Sequence, residues 1–236
     1  TPLPSLSSTV DYFDIKVEDA IAEVGAQLLV DNCFQTLDQD SRACRSITRN
    51  ESGNIDVVDA PLLNIAQRKV RGLDLPGWLD ISGKGSRLSV QFVGSFQFED
   101  SNIPLDGLAP IECAGFYSGP CSGDAIRITP DFRGFLGLNY VSGPITIYNQ
   151  IRYIDDLELS PLSPPQQSGT VSPETYWDLS VRARVYRTLE LFGGINNVLD
   201  NQPPVLAFAA GGDSNTNPQL YDVLGRSFFI GASVKF

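Results

Sequence analysis

The sequence predicts an all-β protein, namely about eight antiparallel strands that form a portion of a transmembrane β-barrel. Three observations support this prediction. Apolar and polar residues alternate with a period of two in eight segments, as in strands with two different environments. The connections between these segments alternate between short and long. No apolar run in the 236 residues reaches the roughly 18 residues of a transmembrane helix.

The mean hydropathy of −0.06 is close to that of soluble proteins. This value does not argue against a membrane barrel, because its strands alternate lipid-facing and lumen-facing residues and their average stays near zero. A membrane role, if the chain has one, must therefore be carried by strands.

The eight predicted strands follow one another along the chain. They are DYFDIKVE (11–18), RGLDLPGWLDI (71–81), RLSVQFVGSFQFED (87–100), DFRGFLGLNYV (131–141), ITIYNQIRYI (145–154), YWDLSVRARVY (176–186), TLELFGGINNV (188–198) and GRSFFIGASVKF (225–236). We expect the apolar face of each strand to contact lipid and the polar face to contact water.

For three of these strands, the alternation assigns individual residues to the lipid-facing or the water-facing side. In the first, the apolar residues Phe13, Ile15 and Val17 alternate with Tyr12, Asp14 and Lys16. In the third, the alternation runs without interruption from Leu88 to Phe98, which places Glu99 on the polar face. In the last, Phe228, Ile230, Ala232, Val234 and Phe236 share the apolar face, and Phe229 is predicted to point into the lumen.

Connection lengths indicate which ends of the strands share a rim. The short connections are 82–86, 142–144 and 187–188, whereas the long ones are about 19–65, 99–130, 155–175 and 199–223. Short turns on one rim and long loops on the other are typical of outer-membrane barrels. A soluble lipocalin-like barrel turns its apolar face inward and rarely has four loops of this size.

One segment departs from the two-residue period. Ile21, Val24, Leu28 and Leu29 have helical spacing behind a possible cap at Asp19. They predict a short helix in the first long loop, with an irregular loop as the alternative.

Composition excludes several classes of function. A net charge of −11 argues against a nucleic-acid partner, because phosphate binding needs clustered basic residues. The absence of histidine removes the usual nucleophilic triads and zinc sites, so we expect neither an enzyme nor a bound cofactor or metal. The charged polar-face residues are interpreted as hydrated or paired groups rather than a catalytic cluster; they are Arg152, Asp178, Arg182, Arg184 and Glu190.

The four cysteines form two close pairs in the long loops, Cys33 with Cys44 and Cys113 with Cys121. This arrangement predicts two local disulfides in an oxidising compartment. The alternative is four free thiols in a cytosolic protein.

The last part of the chain carries a family resemblance. The stretch YWDLSVRARVYRTLELFGGINNVLDNQPP (176–204), followed by YDVLGRSFFIGASVKF (221–236), resembles the C-terminal end of TonB-dependent outer-membrane receptors. STVDYFDIKVEDAI, RGLDL, IECAGFYSGPC and IRYI match further points of the same family in the same order. Single pieces are weak evidence, whereas the ordered set is specific.

The resemblance implies that the eight strands are the last eight of 22. Residues 1–236 would then be the C-terminal part of the barrel, with the plug domain and the N-terminal strands absent from this chain. It also implies a Gram-negative outer membrane location and active uptake, driven by TonB, of a ferric siderophore, cobalamin or oligosaccharide. Residues Gly231, Val234 and Phe236 resemble the signal read by the barrel-assembly machinery, and the remaining partner would be outer-membrane lipid.

A second hypothesis remains open at this point. Eight strands suffice to close a small OmpA- or OmpX-like barrel with a structural or adhesive role. The two hypotheses differ in what precedes Thr1: a signal peptide for the small barrel, or several hundred residues of plug and barrel for the transporter. The substrate-binding residues stay unknown in either case.

Overall fold

The computed structural model describes residues 5–23, 25–60, 62–103, 109–117, 128–161, 169–206 and 215–235. The helices are α1 (Ala26–Thr36) and α2 (Arg42–Arg45). The strands are β1 (Ser5–Ser8), β2 (Asp11–Glu23), β3 (Ile47–Arg49), β4 (Ile55–Val58), β5 (Leu62–Gly83), β6 (Ser86–Ile103), β7 (Ile111–Glu112), β8 (Phe116–Tyr117), β9 (Phe132–Ser142), β10 (Ile145–Ile154), β11 (Leu157–Leu159), β12 (Thr170–Val171), β13 (Glu174–Arg184), β14 (Leu189–Asn196) and β15 (Ser227–Val234).

One antiparallel sheet dominates the molecule and confirms the predicted fold class. Its strands follow the order β1-β5-β6-β9-β10-β13-β14-β15, and β2 pairs with the upper part of β5. Since β1 and β2 both pair with β5, they act as one interrupted wall strand, which gives the eight predicted wall strands. Within the described residues the sheet is open, with β1 and β2 at one edge and β15 at the other.

Cross-strand register defines two faces. We call the face with Leu88, Val90 and Phe92 the outer face, and the face with Ser89, Gln91 and Ser95 the inner face. Directly opposed residues lie on the same face of a sheet. The outer face is apolar along most of the wall and includes Leu79, Ile81, Leu136, Leu138, Leu179, Val181, Leu191, Ile195, Phe228 and Ile230.

The alternation is interrupted near the top of β6. Gly72 pairs with Gln97 and Arg71 pairs with Glu99, so Phe98 is left without an opposed residue. This irregularity places Glu99 on the outer face, where its carboxylate lies 2.9 Å from Lys69 Nζ. The prediction that Glu99 lies on the polar face was therefore wrong. The bulge is visible only in the pairing with β5, because the alternation of apolar and polar residues in β6 continues through Phe98 in the sequence.

The first wall strand also differs from the expectation. Phe13 opposes Gly72 and Ile15 opposes Val70, which puts the apolar residues of β2 on the inner face. Asp14 and Lys16 oppose Arg71 and Lys69 on the outer face. Charged residues exposed outward are costly in hydrocarbon and favourable in headgroups or water. This part of the wall thus has the polarity of a strand that stands above a membrane.

A row of aromatic residues lies where the outer face changes from apolar to charged. Phe132 lies on the outer face, 4.6 Å from Phe96 and 5.9 Å from Tyr153 between ring centroids. Tyr12 lies at the same level on β2, opposite Leu73. Aromatic girdles mark the membrane interface in barrels. We refer to this row of four residues, Tyr12, Phe96, Phe132 and Tyr153, as the aromatic row.

Several inner-face rings lie over glycines of the neighbouring strand. The rings of Phe13, Phe192 and Phe229 occupy the space that a side chain would need at Gly72, Gly231 and Gly194, respectively. Phe229 thus lies on the inner face, as the alternation predicts.

The first long loop contains the predicted helix, but the helix begins later than expected. It starts at Ala26 behind Gly25, and its C-terminal Leu37 adopts a left-handed conformation. Asp19 and Ile21 belong to β2, and Asp19 has a φ of 53° beside a register shift. Val24 lies outside the described residues. Pairing with β5 therefore extends the strand at the expense of the helix. The Cys33–Cys44 disulfide joins α1 to α2.

The other long loops share a small core at the upper end of the wall. Its buried members are Tyr117, Ile154, Leu157, Val171, Tyr176, Leu206 and Tyr221. They come from four different parts of the chain, so this core packs the loops against the tops of β10 and β13. No helix among the described residues is long and apolar enough to cross a membrane.

Candidate functional site

The long loops carry the net charge of the chain. Residues 24–61, 104–131, 155–173 and 197–226 hold 16 of the 28 acidic residues but only five of the 17 basic residues. The wall strands and short turns hold the remaining 12 of each and are neutral in sum. The long loops are therefore strongly acidic in sequence, and the rim that their described parts form favours the approach of cations over anions at low ionic strength.

An acidic cavity of about 240 Å³ lies within this rim. Asp131, Asp155, Asp156 and Glu158 line it together with the segment 114–116. Partial burial and the neighbouring carboxylates raise the pKa of Asp131 above its usual range. Within the described ranges, no group of three or more His, Cys, Asp or Glu residues has a metal-binding arrangement.

Loop 109–117 is held to the wall by the Glu112 carboxylate and by the backbone of the buried Asp100, whose carbonyl accepts from the Cys113 N–H. Asp100 is 8% exposed and accepts hydrogen bonds from Arg68 at 2.8 Å and from Thr129 at 3.0 Å. Glu112 accepts from the backbone N–H groups of Asp100, Cys113 and Ala114 at 2.8 to 3.0 Å. These contacts fix the position of one wall of the acidic cavity.

The loop between β14 and β15 is anchored by residues of the NNVLDN and YDVLGR motifs. Asn197 is fully buried; its backbone N–H donates to Asp178, and its side-chain amide donates to the carbonyl of Asn201. Asp200 accepts from the backbone N–H of Arg226 at 2.9 Å. The motif thus returns the loop to the inner face of β13. Burial in the adjoining core raises the pKa of Tyr221.

A second cavity, of about 310 Å³, lies between this loop and the inner wall. The wall contributes Val93, Ser95, Arg133, Phe135 and Arg152, and the loop contributes Gln219 and Leu220. The volume is at the lower end of the range for small-molecule pockets, and the lining mixes aromatic, apolar and cationic groups. The alternation in the sequence placed Arg152 and Arg133 on the polar face. It gave no sign that residues 219 and 220 of the β14–β15 loop would lie against these two arginines.

The predicted site residues lie in separate places. Cys113 is disulfide-bonded, whereas Cys121 lies outside the described residues. Gly231 lies on the inner face under Phe192, and Val234 lies on the outer face opposite Leu189. Phe236 is also outside the described residues. The assembly signal that these three residues resemble stays a prediction.

A family model described as TonB dependent receptor-like, beta-barrel, matches residues 3–198. A mutant of the ferric enterobactin receptor PfeA from Pseudomonas aeruginosa has a similar structure, with a TM-score of 0.60 and 15% identity. The siderophore receptor PirA from Acinetobacter baumannii gives 0.56 and 12%, and the outer membrane transporter YddB from Escherichia coli gives 0.54 and 13%.

In each case the alignment covers 98% of this chain. It spans only 29% of the PfeA chain and 30% of the other two. At these identities the similarity shows the fold alone. No curated protein matches the sequence significantly.

Proposed function

Since the chain belongs to the TonB-dependent receptor family, we propose that its protein carries out active uptake across the outer membrane of a Gram-negative bacterium. The observation that carries this proposal is the wall itself. Eight antiparallel strands have an apolar outer face below the aromatic row and a polar inner face, and long loops cluster at one rim. Such a wall suits lipid on one side and an aqueous lumen on the other.

The proposal includes the place of the chain in a larger barrel. Residues 1–236 form the C-terminal part, and the plug and earlier strands belong to the portion of the protein outside this chain. Two features support this division: the chain spans less than a third of each of these solved receptors, and β1, β2 and β15 are the open edges of the sheet that the described residues form. Unpaired edges in a membrane are unfavourable, so they favour a larger barrel over a self-closed barrel of eight strands.

The substrate class we propose is a solute too large or too scarce for porins, such as a ferric siderophore, cobalamin or an oligosaccharide. Two of the similar structures are named as siderophore receptors, for ferric enterobactin in one case. The partners are TonB, which would act through the portion outside this chain, the barrel-assembly machinery, and outer-membrane lipid.

Disruption of the gene tests this function. We expect the mutant to lose uptake of one member of a panel of labelled ferric siderophores, cobalamin and oligosaccharides, and complementation to restore it. The same uptake should stop in a strain that lacks TonB. Unchanged uptake of every panel member in the gene-disrupted strain would contradict the proposal.

A further inference from the structure

Two arginines are neighbours on the inner face of β9 and β10. Arg133 opposes Ile154, and Phe135 opposes Arg152, so the two guanidinium groups start from diagonal positions of adjacent strands. Diagonal neighbours lie within reach of long side chains. Both residues line the 310 Å³ cavity beneath the β14–β15 loop.

These arginines are paired less well than three others on the same face. Arg68 lies 2.8 Å from Asp100, Arg87 lies 3.0 Å from Asp80, and Arg182 lies 3.1 Å from Glu190. Arg152 instead reaches Asp178 at 3.5 Å and Asp222 at 3.8 Å, which are long distances for charge-assisted hydrogen bonds. Arg133 has no ion pair with any residue in the described ranges.

Arg152 also has an unused donor in this surrounding. Its Nε is buried and makes no hydrogen bond to a described residue, while its guanidinium lies 5.2 Å from the ring centre of Tyr176. The stacked ring and the two distant carboxylates hold the guanidinium in place without satisfying this donor. A buried donor without an acceptor is unfavourable, and carboxylate and phosphate groups each present a pair of oxygens that matches the guanidinium donors.

We propose that Arg133 and Arg152 bind one anionic group, of the carboxylate or phosphate type, in the cavity between the inner wall and the β14–β15 loop. The two guanidinium groups supply charge and paired donors. Phe135, Val93 and Leu220 supply an apolar border that suits a ligand with a nonpolar part next to its anion.

The anion can come from a solute or from a carboxylate of the same protein outside this chain. A solute would pass the acidic rim first, so the site would select for a local anionic group on a ligand of low overall negative charge. Its use during uptake rests on the proposed function, whereas binding of the anion does not.

Thermal unfolding of the full-length protein in detergent tests the site, with inorganic phosphate as the probe and constant ionic strength. We expect phosphate to raise the Tm of the wild type. Arg133→Gln should weaken the apparent phosphate affinity at least about tenfold, because one of two charge-assisted contacts is lost. Arg182→Gln is the matched control: it removes an inner-face arginine that already has a partner, and it should leave the phosphate affinity unchanged.

The outcomes separate the two sources of the anion. If phosphate has no effect on the wild type but Arg133→Gln alone lowers the Tm more than Arg182→Gln does, the anion is a carboxylate of the protein. Equal phosphate affinity in the wild type and Arg133→Gln would overturn the proposal. An equal loss of phosphate affinity in Arg133→Gln and Arg182→Gln would also overturn it. So would the absence of any phosphate effect on the wild type together with an unchanged Tm in Arg133→Gln. None of these measurements depends on TonB or uptake, so a failure of the proposed function would be seen separately.

Discussion

The lower and upper parts of the β5–β6 hairpin have opposite polarity on the same face. Below the aromatic row, the outer face carries Leu79, Ile81 and Val90. Above it, the outer face carries Lys69, Arg71 and Glu99, and the inner face carries Val70 beside the Arg68–Asp100 pair. The two parts share strands, register and hydrogen bonding. We expect this difference to reflect the surrounding medium, with lipid below the row and headgroups or water above it.

The strand lengths agree with this interpretation. β5 has 22 residues, whereas β9 has 11 and β10 has 10. About 9 to 11 tilted residues cross the hydrocarbon core. The excess length of β5 thus matches the part above the aromatic row.

The largest expected difference in stability between the lower and upper parts of the β5–β6 hairpin comes from a charge added to the outer face. Leu79→Arg places a cation on the lower outer face and should destabilise the full-length protein in lipid vesicles by about 2 to 4 kcal/mol. Gln67→Arg makes a comparable addition on the upper outer face and should change stability by less than about 0.5 kcal/mol. Guanidinium unfolding in vesicles measures both values. Similar losses for the two variants would mean that the aromatic row does not mark the boundary.

An intermediate effect compares the inner and outer charges of the upper part. Asp100→Asn removes the buried partner of Arg68 and should cost about 1 to 3 kcal/mol locally. Glu99→Gln weakens the more exposed outer pairs with Lys69 and Arg71 and should cost less than about 1 kcal/mol, with less effect at high salt. Hydrogen exchange of the amides in 97–103 and 111–117 measures both costs. Loss of protection in 111–117 should follow Asp100→Asn alone, and an equal loss in both variants would contradict this assignment.

The smallest effect concerns the acidic cavity above the row, and it depends on pH. Because the folded state raises the pKa of Asp131, ionisation of this carboxyl opposes folding. Asp131→Asn should therefore raise the Tm at neutral pH. The gain should shrink as the pH falls through the raised pKa, and it should vanish below about pH 3.9, where the unfolded carboxyl is also protonated. A Tm difference that stays constant from neutral to acidic pH would show that ionisation of Asp131 in its partly buried, acidic surroundings is not the cause.

Much of the wall could be predicted from the sequence because alternation is a local property. All eight wall strands overlap the predicted segments, and the three short turns lie where the alternation ends, but β5 begins at Leu62 instead of at the predicted residue 71 and β1 was not predicted. Gly85 and Gly143 adopt positive φ in two of these turns, a conformation that favours glycine. The helix was predicted in the right loop, but its start was not, because β2 continues by pairing with β5.

The parts that could not be predicted depend on distant residues. Phe98 continues the alternation of β6, so only the register of β5 reveals that it has no opposed residue. Arg152 belongs to a recognisable polar face, but Asp222 reaches it from 70 positions away through the β14–β15 loop. Neither the unopposed position of Phe98 nor the Arg152–Asp222 pair leaves a periodic signal in the sequence. Both decide which charged groups lie on each face of the upper wall.

The glycines under Phe13, Phe192 and Phe229 also decide how closely these rings approach the inner face of the sheet. At Gly194, an added Cβ would lie 2.6 Å from the carbonyl oxygen of Leu179 and 2.7 Å from the Phe229 ring. Any larger residue there would push the ring away from the wall, so these glycines let the rings lie against the backbone and keep the inner face of the sheet clear.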